Sequence, residues 1–169
     1  MRMRPGTAAH PRPGALHVRP ARFEEVAAIL RLIERAIDRG CRSHYGPLQR
    51  RAVFLSYART MFADSRAPIE TLVAERDGRL LAAAQLDPAA CRLRALFVDG
   101  DIQEQGVGRA LLGHVIGRAA AHGCTRIQGA MSLNAVPFYA GAGFRPCAGR
   151  DRLLSDGVVI PVVPMDRAI

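Results

Sequence analysis

The sequence predicts a mixed α/β fold in which a central, mostly antiparallel sheet is flanked by helices. Three observations lead there. Apolar residues recur at helical spacing in two separate stretches, Val26, Ile29, Leu30, Ile33 and Ile37, then Leu111, Leu112, Val115, Ile116 and Ala119. Two β-rich runs, residues 69–76 and 79–86, flank Asp77-Gly78, a dipeptide suited to a two-residue hairpin turn. Finally, Leu96-Phe97-Val98 passes through a glycine turn directly into the second periodic stretch, which gives the order strand, turn, helix.

Taken in chain order, residues 1–14 hold Pro5, Pro11 and Pro13, two glycines and almost no apolar side chains, which predicts a flexible tail ahead of a single domain over residues 15–169. The first helix starts near Phe23 and stops at Gly40. A second helix is expected over residues 48–63, carrying Val53, Phe54 and Tyr57 inward, before Pro68 breaks it. The runs on either side of Asp77-Gly78 are then antiparallel neighbours. The next strand covers residues 91–98 and ends at the glycine loop, and Gly123 stands where a left-handed helix end is needed. A strand from Thr125, a short helix over residues 136–141, and closing strands at Phe144 and over residues 158–165 complete the chain. No internal repeat is visible.

The glycine loop, Gln103-Glu104-Gln105-Gly106-Val107-Gly108, is the first functional signal. A loop opening straight into a helix presents N-H groups with no intrahelical partner at the positive end of the helix dipole, and so suits a phosphate or pyrophosphate. Gly106 and Gly108 allow the backbone to come close to such an anion. A Walker loop would need Gly-Lys-Ser/Thr, whereas Arg109 and Ala110 follow Gly108, so nucleoside triphosphate hydrolysis is disfavoured. A dinucleotide fingerprint would need glycine where Leu111 stands and an acid about 20 residues further on, a region without one. By itself the pattern is equally that of an ordinary tight turn into a core helix.

A second motif, Ser132-Leu133-Asn134-Ala135-Val136-Pro137-Phe138-Tyr139 closed by Gly141-Ala142-Gly143-Phe144, follows the loop at one helix and one strand's distance. Together the two motifs resemble the GNAT superfamily of acyl-CoA-dependent N-acyltransferases. The resemblance extends more loosely to residues 16–21, similar to the family's first strand, and residues 160–165, similar to its last. It implies the GNAT fold, in which the strand before the loop parts from the strand after the long helix and the pantetheine arm enters the gap. Leu96, Phe97 and Val98 would line that arm. Gln103, Glu104, Gln105, Gly106, Val107 and Gly108, with Arg109 and Ala110, would hold the pyrophosphate. Asn134 resembles the family's cofactor-contacting asparagine, although Ser132 occupies the alternative position and Asn134 could instead cap the helix. Tyr139 is implied as the acid that protonates the departing thiolate; a core tyrosine is the plainer reading.

No general base stands out. The strand before the loop offers Arg94 and its neighbour Gln85, where many relatives carry an acid. Glu75, Asp87, His44, Tyr45 or water remain as acceptors of the amine's proton. The connection over residues 42–47 matches the place where the family shapes its acceptor pocket. The function implied is transfer of an acetyl group from acetyl-CoA to a primary amine, small molecule or peptide, by direct attack and without a metal. The alternative from another class is a catalytically silent CoA-binding sensor of the same fold.

A chain of 169 residues can bury a core of its own as one domain. Cys41, Cys91, Cys124 and Cys147 lack paired spacing and a secretory context, so reduced thiols are expected, with neither disulfide nor zinc. The absence of an 18-residue apolar run or a signal-peptide core leads to the expectation of a cytoplasmic protein with no membrane span. Arginines supply nearly all of the +9 net charge, are scattered along the chain and do not interleave with aromatic residues, which disfavours nucleic-acid binding while favouring attraction of polyanionic CoA. An exposed sheet edge near the C-terminus permits a homodimer.

Overall fold

The computed structural model describes residues 14–62, 69–102 and 106–169. The expected tail over residues 1–14, apart from Gly14, the expected helix end at Ala63 with its breaker Pro68, and Gln103, Glu104 and Gln105 of the loop lie outside the described residues. The elements are β1 His17–Pro20, α1 Val26–Gly40, α2 Pro47–Phe62, β2 Glu70–Arg76, β3 Arg79–Asp87, β4 Arg92–Val98, α3 Val107–Ala121, β5 Arg126–Ser132, α4 Val136–Gly141, β6 Arg145–Pro146, β7 Arg152–Ser155 and β8 Val158–Ala168. Among the described residues the strands form one eight-stranded sheet in the order β1-β2-β3-β4-β5-β8-β6, with β7 paired to β8 off that path. Every pairing is antiparallel except that of β4 with β5. The predicted mixed sheet with flanking helices is therefore observed.

Turn chemistry sets the hairpins. Asp77 and Gly78 both take left-handed backbone, φ +52° and +74°, and join β2 to β3 as expected. Asp156 and Gly157 repeat the device, φ +52° and +76°, between β7 and β8. That second hairpin corrects the sequence reading, which left out β7 although the same Asp-Gly signal was there to find. The strand expected at Phe144 is the two-residue β6 immediately after it, and Phe144 itself is fully buried.

Apolar clusters fill both faces of the sheet. On one, Leu111, Leu112, Val115 and Ala119 of α3 meet Ala82, Ala84 and Leu86 of β3 together with Tyr139 and Phe144. On the other, Ile29, Ile33 and Ile37 of α1 meet Val73, Ala83 and Ile160. The central strand β3 can be sandwiched because Ala82, Ala83 and Ala84 keep both faces shallow.

Two features fix the centre of the sheet. β4 and β5 register at a single pair, Arg92 with Gln128, and part beyond it. Close to that pair, a Cβ on Gly129 would lie 2.7 Å from the Leu93 carbonyl oxygen, so only glycine fits there. Just before the two strands, Cys91 and Cys124 are joined in a disulfide, which overturns the expectation that all four thiols are reduced. The 33-residue separation hides their closeness in sequence; the α3 crossover returns the chain so that β5 starts beside β4. Cys41 and Cys147 are free.

At the other end of β4 the carboxylate of Asp99, fully buried, accepts hydrogen bonds from Arg35 of α1 at 2.9 Å, from Arg79 at 3.4 Å and from the Asp101 amide at 3.3 Å. Burial pushes its pKa up, but these donors outweigh burial and hold it below the usual aspartate value. Asp99 thus ties α1 and β3 to the start of the glycine loop.

Candidate active site

Where β4 and β5 part, three adjoining cavities run through the sheet. The first, about 530 Å³, lies between the end of α1, β4, the start of α3 and α4. Its walls include Leu96, Phe97, Val98, Gly106, Val107, Gly108, Arg109, Asn134 and Tyr139. Of the described residues expected from sequence to contact the cofactor, all but Ala110 therefore line one space. Gly106 caps α3 in left-handed backbone, φ +74°, and among the described residues no side chain takes the first helical N-H groups. A Cβ on Gly108 would sit 3.0 Å from Val98 Cγ2 and 3.6 Å from the Phe138 ring, so α3 begins pressed against β4 and α4. The donors of a 15-residue helix thereby lie at the cavity uncapped by any described side chain, beside a strand edge that β5 leaves without ladder partners. An anionic head with an amide-bearing arm matches both surfaces.

The second cavity is a narrow neck of about 60 Å³ that shares Leu96, Phe97, Ser132, Ala135, Tyr139 and Cys41 with the first. Tyr139 is 5% exposed, with Phe138 and Phe144 edge-on at ring distances of 5.0 and 5.4 Å. Among the described residues its hydroxyl has no hydrogen-bond partner. Burial, reinforced by Tyr57, raises its pKa, so the phenol stays protonated. Tyr57 packs edge-on against Phe97 at 4.9 Å, and burial pushes its hydroxyl up to about 12. Asn134 does not cap α4; its Oδ1 accepts from the Cys41 thiol at 3.4 Å. Burial holds that thiol protonated, with its pKa up to about 11.

The base candidates separate on position. Tyr45 lines the neck, but its hydroxyl donates to the Pro161 carbonyl at 2.7 Å and accepts the Leu133 N-H at 2.9 Å, so it acts as a brace. Glu75 lies on β2, outside all three cavities, with Arg19 at 2.5 Å holding its carboxyl below the ordinary glutamate value. Asp87 accepts the Ala90 amide at 3.1 Å and pairs with Arg94 at 3.7 Å, and it too lines none of the three. His44 is exposed, with Nδ1 2.9 Å from Ser43 Oγ. Among the described residues the neck thus carries no carboxylate and no histidine. Sequence reading missed Tyr57 and Cys41 as neck residues; the spacing of Tyr57 on α2 marks it only as core, and Cys41, just past the end of α1, reads as a packed thiol.

The third cavity, about 930 Å³, opens from the neck through Tyr57, Leu93, Arg94, Ala130 and Ile160 to the other side of the sheet. It lies between α2, β4 and the β7–β8 hairpin. No group of three or more metal-ligating side chains occurs among the described residues, and no described helix is long and apolar enough to cross a membrane.

Comparison with known proteins supplies a family. The acetyltransferase (GNAT) domain profile matches residues 43–168. A GCN5-related N-acetyltransferase from Rhodopseudomonas palustris superposes with TM-score 0.82 at 23% identity, covering 95% of this chain and 100% of that one. PaiA N-acetyltransferase from Thermoplasma acidophilum, solved with coenzyme A, gives 0.72 at 16% identity over 92% and 99%. YncA from Salmonella typhimurium, solved with acetyl-CoA, gives 0.60 at 18% identity over 92% and 94%. No curated protein matches the sequence.

Proposed function

The chain belongs to the GNAT acetyltransferase family, and from that premise we propose that it transfers an acetyl group from acetyl-CoA to a primary amine by direct attack. The observation that carries this is Tyr139: a buried, protonated phenol without a hydrogen-bond partner among the described residues, set where the anion-binding cavity narrows into the neck. Gly106, Val107, Gly108 and Arg109 hold the phosphates together with Gln103, Glu104 and Gln105, and the unpaired edge of Leu96, Phe97 and Val98 receives the amide arm. Asn134 and Ser132 stand across the gap from that edge. The solved relatives with coenzyme A and acetyl-CoA support the choice of cosubstrate.

In the neck the amine lone pair forms the new C–N bond, and the C–S bond breaks. Tyr139 gives its proton to the departing sulfur. The nitrogen loses a proton to water, and one proton returns from solvent to the phenolate. A thiol near pKa 8.5 leaves with modest help, so Tyr139→Phe is expected to lower kcat about 100-fold, near 2.7 kcal/mol, with the KM for acetyl-CoA unchanged. Steady-state release of free CoA with a panel of amines is the assay. That no described residue brings a carboxylate to the neck favours one rival, a CoA-binding sensor. Tight CoA binding with no release across the panel would establish that rival, and full turnover by Tyr139→Phe would remove Tyr139 from the chemistry.

A further inference from the structure

The groove beyond the neck has a composition that the acyl-transfer reading does not itself explain. Arg59, Arg92, Arg94, Arg150 and Arg152 line it, against two carboxylates, Asp151 and Asp156. Both carboxylates are already committed: Asp156 to Arg59 at 2.7 Å and Asp151 to Arg152 at 3.1 Å. Arg92 and Arg150 have no acidic side chain within ion-pair distance among the described residues. Arg92 and Arg94 flank buried Leu93 on β4 and both line the groove; the ladder with β3 shifts register at Arg94, a bulge that leaves this residue out of the pairs Leu86–Leu93 and Gln85–Ala95. Arg94 also lines the neck, and its one carboxylate partner among the described residues, Asp87, lies at 3.7 Å, outside both cavities. A guanidinium thus borders the space where the amine must meet the thioester, with a second one two residues behind it.

Resting on the acyltransferase reading, we propose that the acceptor is a primary amine that carries its own carboxylate or phosphate, which Arg94 and Arg92 bind while the amine enters the neck. Guanidinium groups present paired donors that match either anion. The same charges act on the amine. Beside Arg94 an ammonium is disfavoured relative to a neutral amine, so the acceptor loses its proton more readily on the way in. This accounts for a neck with no carboxylate base among the described residues, because the field of the groove takes over part of the base's task and water carries the proton away. Polycationic amines are excluded by the same charge.

Matched probes test the proposal on the CoA-saturated protein by calorimetry, which does not depend on turnover: phosphoethanolamine against ethanolamine, γ-aminobutyrate against butylamine, and spermidine. Each anionic amine is expected to bind at least 10-fold more tightly than its neutral partner, and the phosphate and carboxylate arms show which anion is preferred. The Arg92→Gln, Arg94→Gln double variant should erase that preference while Arg94→Lys keeps part of it. Arg31→Gln, an exposed change on α1, should leave it intact. In turnover, Arg94→Gln should move the acceptor's apparent pKa in the kcat/KM profile upward with the KM for acetyl-CoA unaffected. Equal binding of the neutral amines, preference for spermidine, or indifference to the double variant would overturn the proposal. Acetylation of neutral amines as efficient as that of anionic ones would sink it while leaving the acyltransferase reading in place. Anion binding without CoA release from any amine would do the reverse.

Discussion

Replacing Gly129 by alanine probes the geometry of the gap most directly. An ordinary strand glycine gains about 0.4–1 kcal/mol on becoming alanine, because the unfolded chain loses freedom. Here the added Cβ would lie 2.7 Å from the Leu93 carbonyl oxygen and 2.9 Å from the Met131 methyl group. The methyl can swing away; the carbonyl belongs to β4 and must recede by about 0.7 Å to reach ordinary contact. That movement pulls on the single Arg92–Gln128 pair and on the 3.1 Å hydrogen bond from Gln128 N-H to the Cys91 carbonyl. Overpacking of this kind costs about 1–3 kcal/mol, so the net change is a destabilisation of about 1–2 kcal/mol, or roughly 3–8 °C in Tm for a chain of this size. Gly113, in α3 with nothing within 4 Å of its would-be Cβ, is the internal control: Gly113→Ala should raise stability by about 0.5–1 kcal/mol. The two variants should therefore shift thermal and urea midpoints in opposite directions. A Gly129→Ala protein as stable as the parent would refute the close approach of the strands.

Two other outcomes are expected. Asp99→Asn should cost about 2 kcal/mol at neutral pH by weakening the Arg35 and Arg79 contacts. Because the folded-state pKa of Asp99 is depressed, its contribution is present above the ordinary aspartate value and fades as pH falls through the folded one. The parent should then lose more stability than Asp99→Asn between pH 5 and 2 in urea titrations, and parallel curves would remove the carboxylate from the account. Reducing the Cys91–Cys124 bond, or replacing both cysteines by serine, should lower stability by about 3–4 kcal/mol on the chain-entropy estimate for a 33-residue loop. A urea midpoint indifferent to reductant would speak against the bond in solution.

What could be read from sequence was whatever local chemistry encodes. Asp77-Gly78 announced its hairpin because two adjacent left-handed positions have few other uses, and Gly123 did so at the end of α3, where φ is +83°. Asp156-Gly157 carried the same message but followed only the four-residue β7, whose first three side chains are exposed, so no alternation marked a partner strand ahead of β8. The walls of the first cavity were legible because loop, helix and the Asn134 to Tyr139 segment are each contiguous. The groove was not: Arg92 and Arg94 share it with Arg59 and with Arg150 and Arg152 from distant segments, and scattered arginines look like solvated surface until the sheet gathers them. The disulfide escaped notice for the same reason, since only the crossover brings its two cysteines together.

The disulfide also decides what kind of motion the gap can undergo. Cys91 and Cys124 stand at the point from which β4 and β5 diverge, so the two strands form a wedge with a covalent hinge pin. Such a wedge can open by rotation but its arms cannot slide past each other. At mid-strand, roughly 10 Å from the pin at about 3.3 Å per residue, widening by 1 Å requires a turn of only about 6°. A bulkier acyl group is then met by a change of angle, largest at the open end near Val98 and nearly zero at Arg92. Hydrogen exchange that quickens toward Val98 while Arg92 stays protected would be the mark of such a hinge, and cutting the bond should abolish the gradient.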